Sequence, residues 1–144
     1  MRNRWGSVAL LCAATMLAGC EDVTEILPGD TYELIEAEGQ ELPAVVFDQE
    51  TEFGHMTATA LSGTLTLEQS TYTERIVFNI VLDGEDLGDE PVVVNGDYVA
   101  EGQILTFDPD RAGSPTFTGT VSGNELTTVE EDPDFGVLTL VWQR

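Results

Sequence analysis

Any chemistry this chain does must come mainly from oxygen. His55 is its one histidine and Cys12 and Cys20 its only cysteines, far too few for a zinc site of several histidines and thiolates. The sequence has neither a Gly-x-Ser-x-Gly elbow nor a glycine-rich phosphate loop. His55 follows Gly54 ahead of a strand and reads as a solvent-facing loop residue. What the chain does have is 27 acids. Two carboxylates suffice for glycoside hydrolysis, but that chemistry is defined by their separation in space, which sequence does not give. Only Glu74 stands out, because it falls between Tyr72 and Ile76 on an apolar stripe. There it would meet a polar ligand group or reach solvent at a rim. Three acid-rich stretches offer hard oxygen ligands to calcium, at 83–90 (DGEDLGDE), 108–113 (DPDRAG) and 130–136 (EEDPDFG). None has EF-hand spacing, since Leu87 and Ala112 occupy fifth positions that need an oxygen. They read as solvated turns. With no paired nucleophile and base, the chain is not expected to be an enzyme, nor to hold a metal or cofactor.

The elements that must position these residues are strands. From Thr31 onward Thr, Val, Leu and Phe alternate with polar residues, and Gly, Asp, Asn or Pro interrupts every few positions. Strands are predicted near 31–37, 42–48, 56–68, 71–82, 92–100, 103–108, 115–121, 125–130 and 137–143. Period two turns Tyr72, Ile76, Phe78, Ile80 and Leu82 to one face. Short turns at Glu101-Gly102 and Ser122-Gly123-Asn124 demand antiparallel neighbours. Gly63, Gly96 and Gly119 are expected to mark bends or bulges. The predicted fold is all-β, an antiparallel up-and-down meander barrel of eight or nine strands, with a β-sandwich as the alternative. Either protects the sheet edges.

The first twenty residues are a separate unit. Arg2 and Arg4 precede an apolar run from Val8 to Ala18 that is too short to span a bilayer, which takes roughly 20 residues. The following Leu17-Ala18-Gly19-Cys20 resembles the lipobox of bacterial lipoproteins. That resemblance implies a signal peptide over 1–19 and lipid attachment at Cys20, which becomes the first residue of the mature chain. Residues 20–30 then form a lipidated linker and 31–144 a single domain. Several acyl chains on one residue make a stable membrane anchor. The expected location is the cell envelope, with the domain outside the bilayer. Glu21 occupies the place where an aspartate favours inner-membrane retention in such lipoproteins, so the outer membrane is favoured. With Cys12 lost and Cys20 acylated, neither a disulfide nor a cysteine nucleophile remains.

Charge bounds the partners. Lysine is absent, and beyond the leader only Arg75, Arg111 and Arg144 face the 27 acids. Phosphate backbones would repel such a chain, so nucleic acid is excluded as a partner. The acids read as a solubilising surface, or as an adaptation to salt or cations. A protein partner is not legible.

The chain also resembles the small lipocalin-like domains of bacterial lipoproteins. The residues that carry the resemblance are Thr31-Tyr32-Glu33-Leu34, Leu42-Pro43, Ser62 to Leu67, Gly96-Asp97-Tyr98, Gly119 to Asn124 and Trp142-Gln143-Arg144. It implies a barrel whose interior takes a small apolar ligand, with Tyr72, Glu74, Phe78, Tyr98, Phe107 and Trp142 as ligand-binding candidates. It also implies that Arg144 closes one barrel end over Tyr32. The rival reading is an envelope structural or interaction module whose interior those same side chains fill.

Overall fold

The computed structural model describes residues 29–133 and 135–144, so the leader, Cys20 and nearly all of the linker lie outside the described residues. Ten strands form and no helix among the described residues: β1 (Thr31–Ala37), β2 (Gln40–Glu41), β3 (Ala44–Thr51), β4 (Gly54–Leu67), β5 (Thr71–Leu82), β6 (Glu85–Glu101), β7 (Ile104–Pro109), β8 (Phe117–Ser122), β9 (Glu125–Asp132) and β10 (Gly136–Gln143). Each follows its predecessor as an antiparallel neighbour from β3 to β10. β1 then lies beside β10 and pairs with the C-terminal half of β4, Tyr32 opposite Leu65. This last pairing closes an eight-stranded meander barrel, with β2 and β3 as additional strands. The barrel, and not the sandwich, is the architecture.

Several features differ from expectation: β2 is an unpredicted strand, and the strand expected at 42–48 lies at Ala44–Thr51. β6 begins at Glu85 instead of near 92, because the acidic stretch after Leu82 is mostly strand. Asp83 and Gly84 both take positive φ, 50° and 80°, the backbone of a two-residue hairpin turn, and pairing resumes at once with Glu85 opposite Leu82. The bulges also fall elsewhere, at Ile35, Val46, Leu61 and Leu87, where the strand registers shift. The interior glycines serve packing instead. A Cβ on Gly96 would collide with the Asp108 carbonyl oxygen and lie 2.8 Å from Tyr72 Cε1, and one on Gly119 would sit 2.8 Å from Leu126 Cδ1.

The two barrel ends are unlike. At one, the chain enters and leaves: Gly29 N donates to Leu67 O at 2.6 Å and Arg144 N to Asn124 O at 2.8 Å. Here Arg144 Nη1 meets Asp30 Oδ2 at 2.6 Å, and the Tyr32 hydroxyl lies close enough to interact with the guanidinium. At the other end β3, β4, β5 and the first half of β6 stand taller than the rest, since β7 reaches no further along β6 than Gly96. Between the ends the core is packed with Tyr32, Leu65, Leu105, Leu126, Leu140 and Trp142, each at most 1% exposed. Outward positions such as Thr73, Asp97 and Thr118 are exposed and polar. The apolar interior differs from the polar interior of a lipid-embedded barrel, while the outer face mixes polar residues with exposed Val93, Val99, Ile104 and Val129. No helix among the described residues is long and apolar enough to cross a membrane.

Candidate functional site

All six interior candidates sit inside the barrel. Phe107 and Trp142 are 0% exposed, Tyr72 1%, Phe78 3%, Glu74 4% and Tyr98 8%. Tyr72 meets Phe107 edge-on at 5.0 Å between ring centroids, and Phe107 stacks on Phe117 at 4.7 Å. Tyr98 is fixed by its hydroxyl, which donates to Glu68 O at 2.6 Å. These rings pack against one another inside the barrel.

Glu74 reaches neither a rim nor solvent. Its carboxyl lies against that of Glu130, from β9 on the far side of the barrel, and the two hydrogen-bond. Burial and then the Glu130 charge push the Glu74 carboxyl well above the usual carboxylate range. Burial pushes Glu130 up to about 7, with Thr128 opposing and Asp132 adding to the rise. A hydrogen bond between two carboxyl groups needs a proton on one of them, and Glu74, whose pKa is raised by burial and by Glu130, is the donor. The chain of bonds continues: Thr128 Oγ1 donates to Glu130 Oε1 at 3.0 Å and accepts from Trp142 Nε1 at 3.0 Å. The buried Tyr72 hydroxyl has no hydrogen-bond partner among the described residues, and its pKa is raised by burial and by Glu74. An acid and a base stand side by side here, Glu74 buried and Glu130 partly so. Glu130 escaped the sequence reading because its stretch reads as a turn. The signal was there, since Leu126, Thr128 and Glu130 continue one period-two face.

The open site lies at the tall end. Inward residues of the protruding hairpins, Phe47, Met56, Ile80 and Leu82, line a groove of about 510 Å³, flanked at the tips by Phe53 and Leu87 and completed by Thr51 and Glu52. Its apolar character follows from alternation: the stripe that fills the core at Ile76 and Phe78 simply continues past the closed part of the barrel. Phe135, on the turn between β9 and β10, separates groove from core, its ring 4.9 Å from Phe78 and 6.0 Å from Phe47. Phe53 and Leu87 are 75% and 59% exposed, unusual for apolar side chains grouped around one concavity. The hairpin tips are clamped together. His55 N donates to Asp83 Oδ1 at 2.9 Å, and Asp83 N returns a bond to His55 O at 2.8 Å. The His55 ring itself turns to solvent, held by Asp48 at 2.7 Å and Glu50 at 3.3 Å. Among the described residues no three histidine, cysteine, aspartate or glutamate side chains group to hold a metal.

No family model, curated protein or solved structure matches the chain. Its class is therefore defined by its own geometry, a closed eight-stranded meander barrel with a packed interior and an apolar groove at one mouth.

Proposed function

We propose that this chain is a lipid-anchored protein of the cell envelope that binds a small apolar ligand at the barrel mouth. The observation that carries the binding reading is the 510 Å³ groove, a size within the roughly 300–1,000 Å³ of small-molecule sites and lined mainly by apolar side chains. The site is thus moved from the barrel interior, where Tyr72, Phe78, Tyr98, Phe107 and Trp142 form core, to the hairpins above it. Anchoring is supported by the lipobox at Leu17 to Cys20 and the charged, short apolar leader before it. Because the described chain begins at the barrel end opposite the mouth, an anchor at Cys20 leaves the groove facing away from the membrane. Glu21 favours the outer membrane.

Anchoring is tested by intact mass after bacterial expression: a chain starting at Cys20 with added lipid is expected, and an unlipidated mature mass refutes it. Binding is tested on the chain from residue 20 carrying Cys20→Ser, titrated with the neutral fluorophore N-phenyl-1-naphthylamine. Saturable enhancement that is lost in the Phe53→Ser/Leu87→Ser double variant is expected, both side chains being exposed and dispensable for packing. Absence of saturable binding would instead favour an interaction module with a filled barrel, whose apolar tips Phe53 and Leu87 would be its contact points.

A further inference from the structure

We propose that the ligand of the mouth groove is a cationic amphiphile, its apolar tail against Met56, Ile80 and Leu82 and its ammonium head among the carboxylates of the hairpin tips. This inference rests on the groove being a ligand site, as argued above, and adds the chemical class that it selects.

The argument is one of charge complementarity between an apolar floor and a rim of a single sign. Glu52 lines the groove itself, beside Phe53. On the neighbouring hairpin Asp83, Glu85 and Asp86 follow Leu82 at the tip, and all three are exposed. Asp83 is held in place by the His55 amide and Glu85 lies on the groove side opposite Leu82, whereas Asp86 lies opposite Val81 on the outer face, bonded by Asn79 Nδ2 at 2.9 Å and Gly88 N at 2.8 Å. Hydrogen bonds to Asp86 lower its pKa, so it stays ionised.

Among the described residues only three arginines and one histidine stand against the acids. Lysine is absent from the chain. Arg75 lies well down β5 opposite Thr64, Arg111 lies in the connection between β7 and β8, and Arg144 sits at the opposite barrel end on Asp30. The His55 ring is taken up by Asp48 and Glu50.

With a Debye length of about 10 Å at 0.1 M salt, a carboxylate within that reach of a bound head group acts on it, and Glu52 lines the groove directly. An apolar tail gains the same burial whatever its head group, so the head decides. A carboxylate head is repelled, a neutral one is indifferent, and an ammonium is attracted.

The experiment displaces N-phenyl-1-naphthylamine from the chain starting at residue 20 (Cys20→Ser) with three ligands of twelve carbons each, dodecylamine, dodecanol and laurate, below their aggregation limits. Dodecylamine is expected to displace the probe at a concentration at least about tenfold below laurate, with dodecanol between. The advantage should shrink in 1 M sodium chloride, where the Debye length falls to about 3 Å. It should also shrink in Glu52→Gln/Glu85→Gln, exposed positions whose change leaves Trp142 fluorescence intact. Amine binding must be lost with Phe53→Ser/Leu87→Ser. If it survives, the amine is adhering to the acidic surface and the proposal fails. Equal displacement by all three, or preference for laurate, overturns the ligand class while leaving the groove as a site. If the naphthylamine itself does not bind saturably, the site falls and the ligand class with it.

Discussion

Raising the pH from 5 to 8 should weaken this fold, and the reason is the buried Glu74–Glu130 pair. An ordinary glutamate titrates near 4.5, whereas burial pushes Glu130 up to about 7 and Glu74 well above the usual range. Between 4.5 and 7 the native protein therefore binds more protons than the unfolded chain, and stability falls as pH rises through that window. Below 4.5 both states are protonated and the effect is absent. Above 7 the Glu130 contribution is fully lost, while Glu74 extends the decline further. At about 1.36 kcal/mol per tenfold change in proton affinity, and discounted because Glu130 keeps an edge toward solvent, Glu130 ionisation costs the fold about 2–3 kcal/mol. For a domain of this size that corresponds to a fall in Tm on the order of 10 °C. The assay is thermal unfolding from pH 5 to 8, followed by Trp142 fluorescence, since Trp142 is bonded through Thr128 to Glu130. Acids on the outer surface repel each other more as pH rises and contribute in the same direction, so Glu130→Gln supplies the comparison. The substituted side-chain amide can still accept from Thr128 but cannot ionise, and the Tm of this variant should decline distinctly less. Parallel slopes in the two proteins would refute a raised pKa at Glu130.

Phe107→Ala should cost about 3–5 kcal/mol, as expected of a fully packed core aromatic, measured by urea unfolding; a loss below about 1 kcal/mol would mean that the interior is loosely filled. Gly96→Ala should destabilise by about 1–3 kcal/mol, because its Cβ has no room between the Asp108 carbonyl and Tyr72; an unchanged Tm would mean that β6 and β7 separate freely. Sodium chloride should raise Tm at neutral pH, because mobile ions screen a formal charge of −22; a flat response would show that the acids are already compensated.

Much of the fold is legible in the residue pattern, for a local reason. A side chain's face is set by the pleat, so Tyr72, Ile76 and Phe78 turn inward wherever their strand lies, and all three are core. Turn chemistry is local too, and the hairpins at Glu101-Gly102 and Ser122-Gly123-Asn124 form where they are expected. The acidic stretch at 83–90 misled because carboxylates favour turns on average, whereas Asp83-Gly84 alone completes the turn and leaves Glu85 to Glu90 free to pair.

By itself the sequence determined the all-β meander, the inward stripes and the excess of negative charge, since each is written in composition or in near-neighbour spacing. Only the tertiary structure decided what depends on distance across the barrel. Tyr32 faces Leu65, 33 positions on, to close it. Glu74 faces Glu130, and the two hydrogen-bond because closure brings β5 and β9 together across the interior. The same closure packs Tyr72, Phe107 and Phe117 into one cluster, and that turns candidate ligand contacts into core. The groove follows from unequal strand length: β4, β5 and β6 outrun β7, so an apolar stripe that would otherwise be buried ends in the open at the mouth. Alternation fixes which way a side chain points, but whether another strand stands opposite it is a property of the closed barrel.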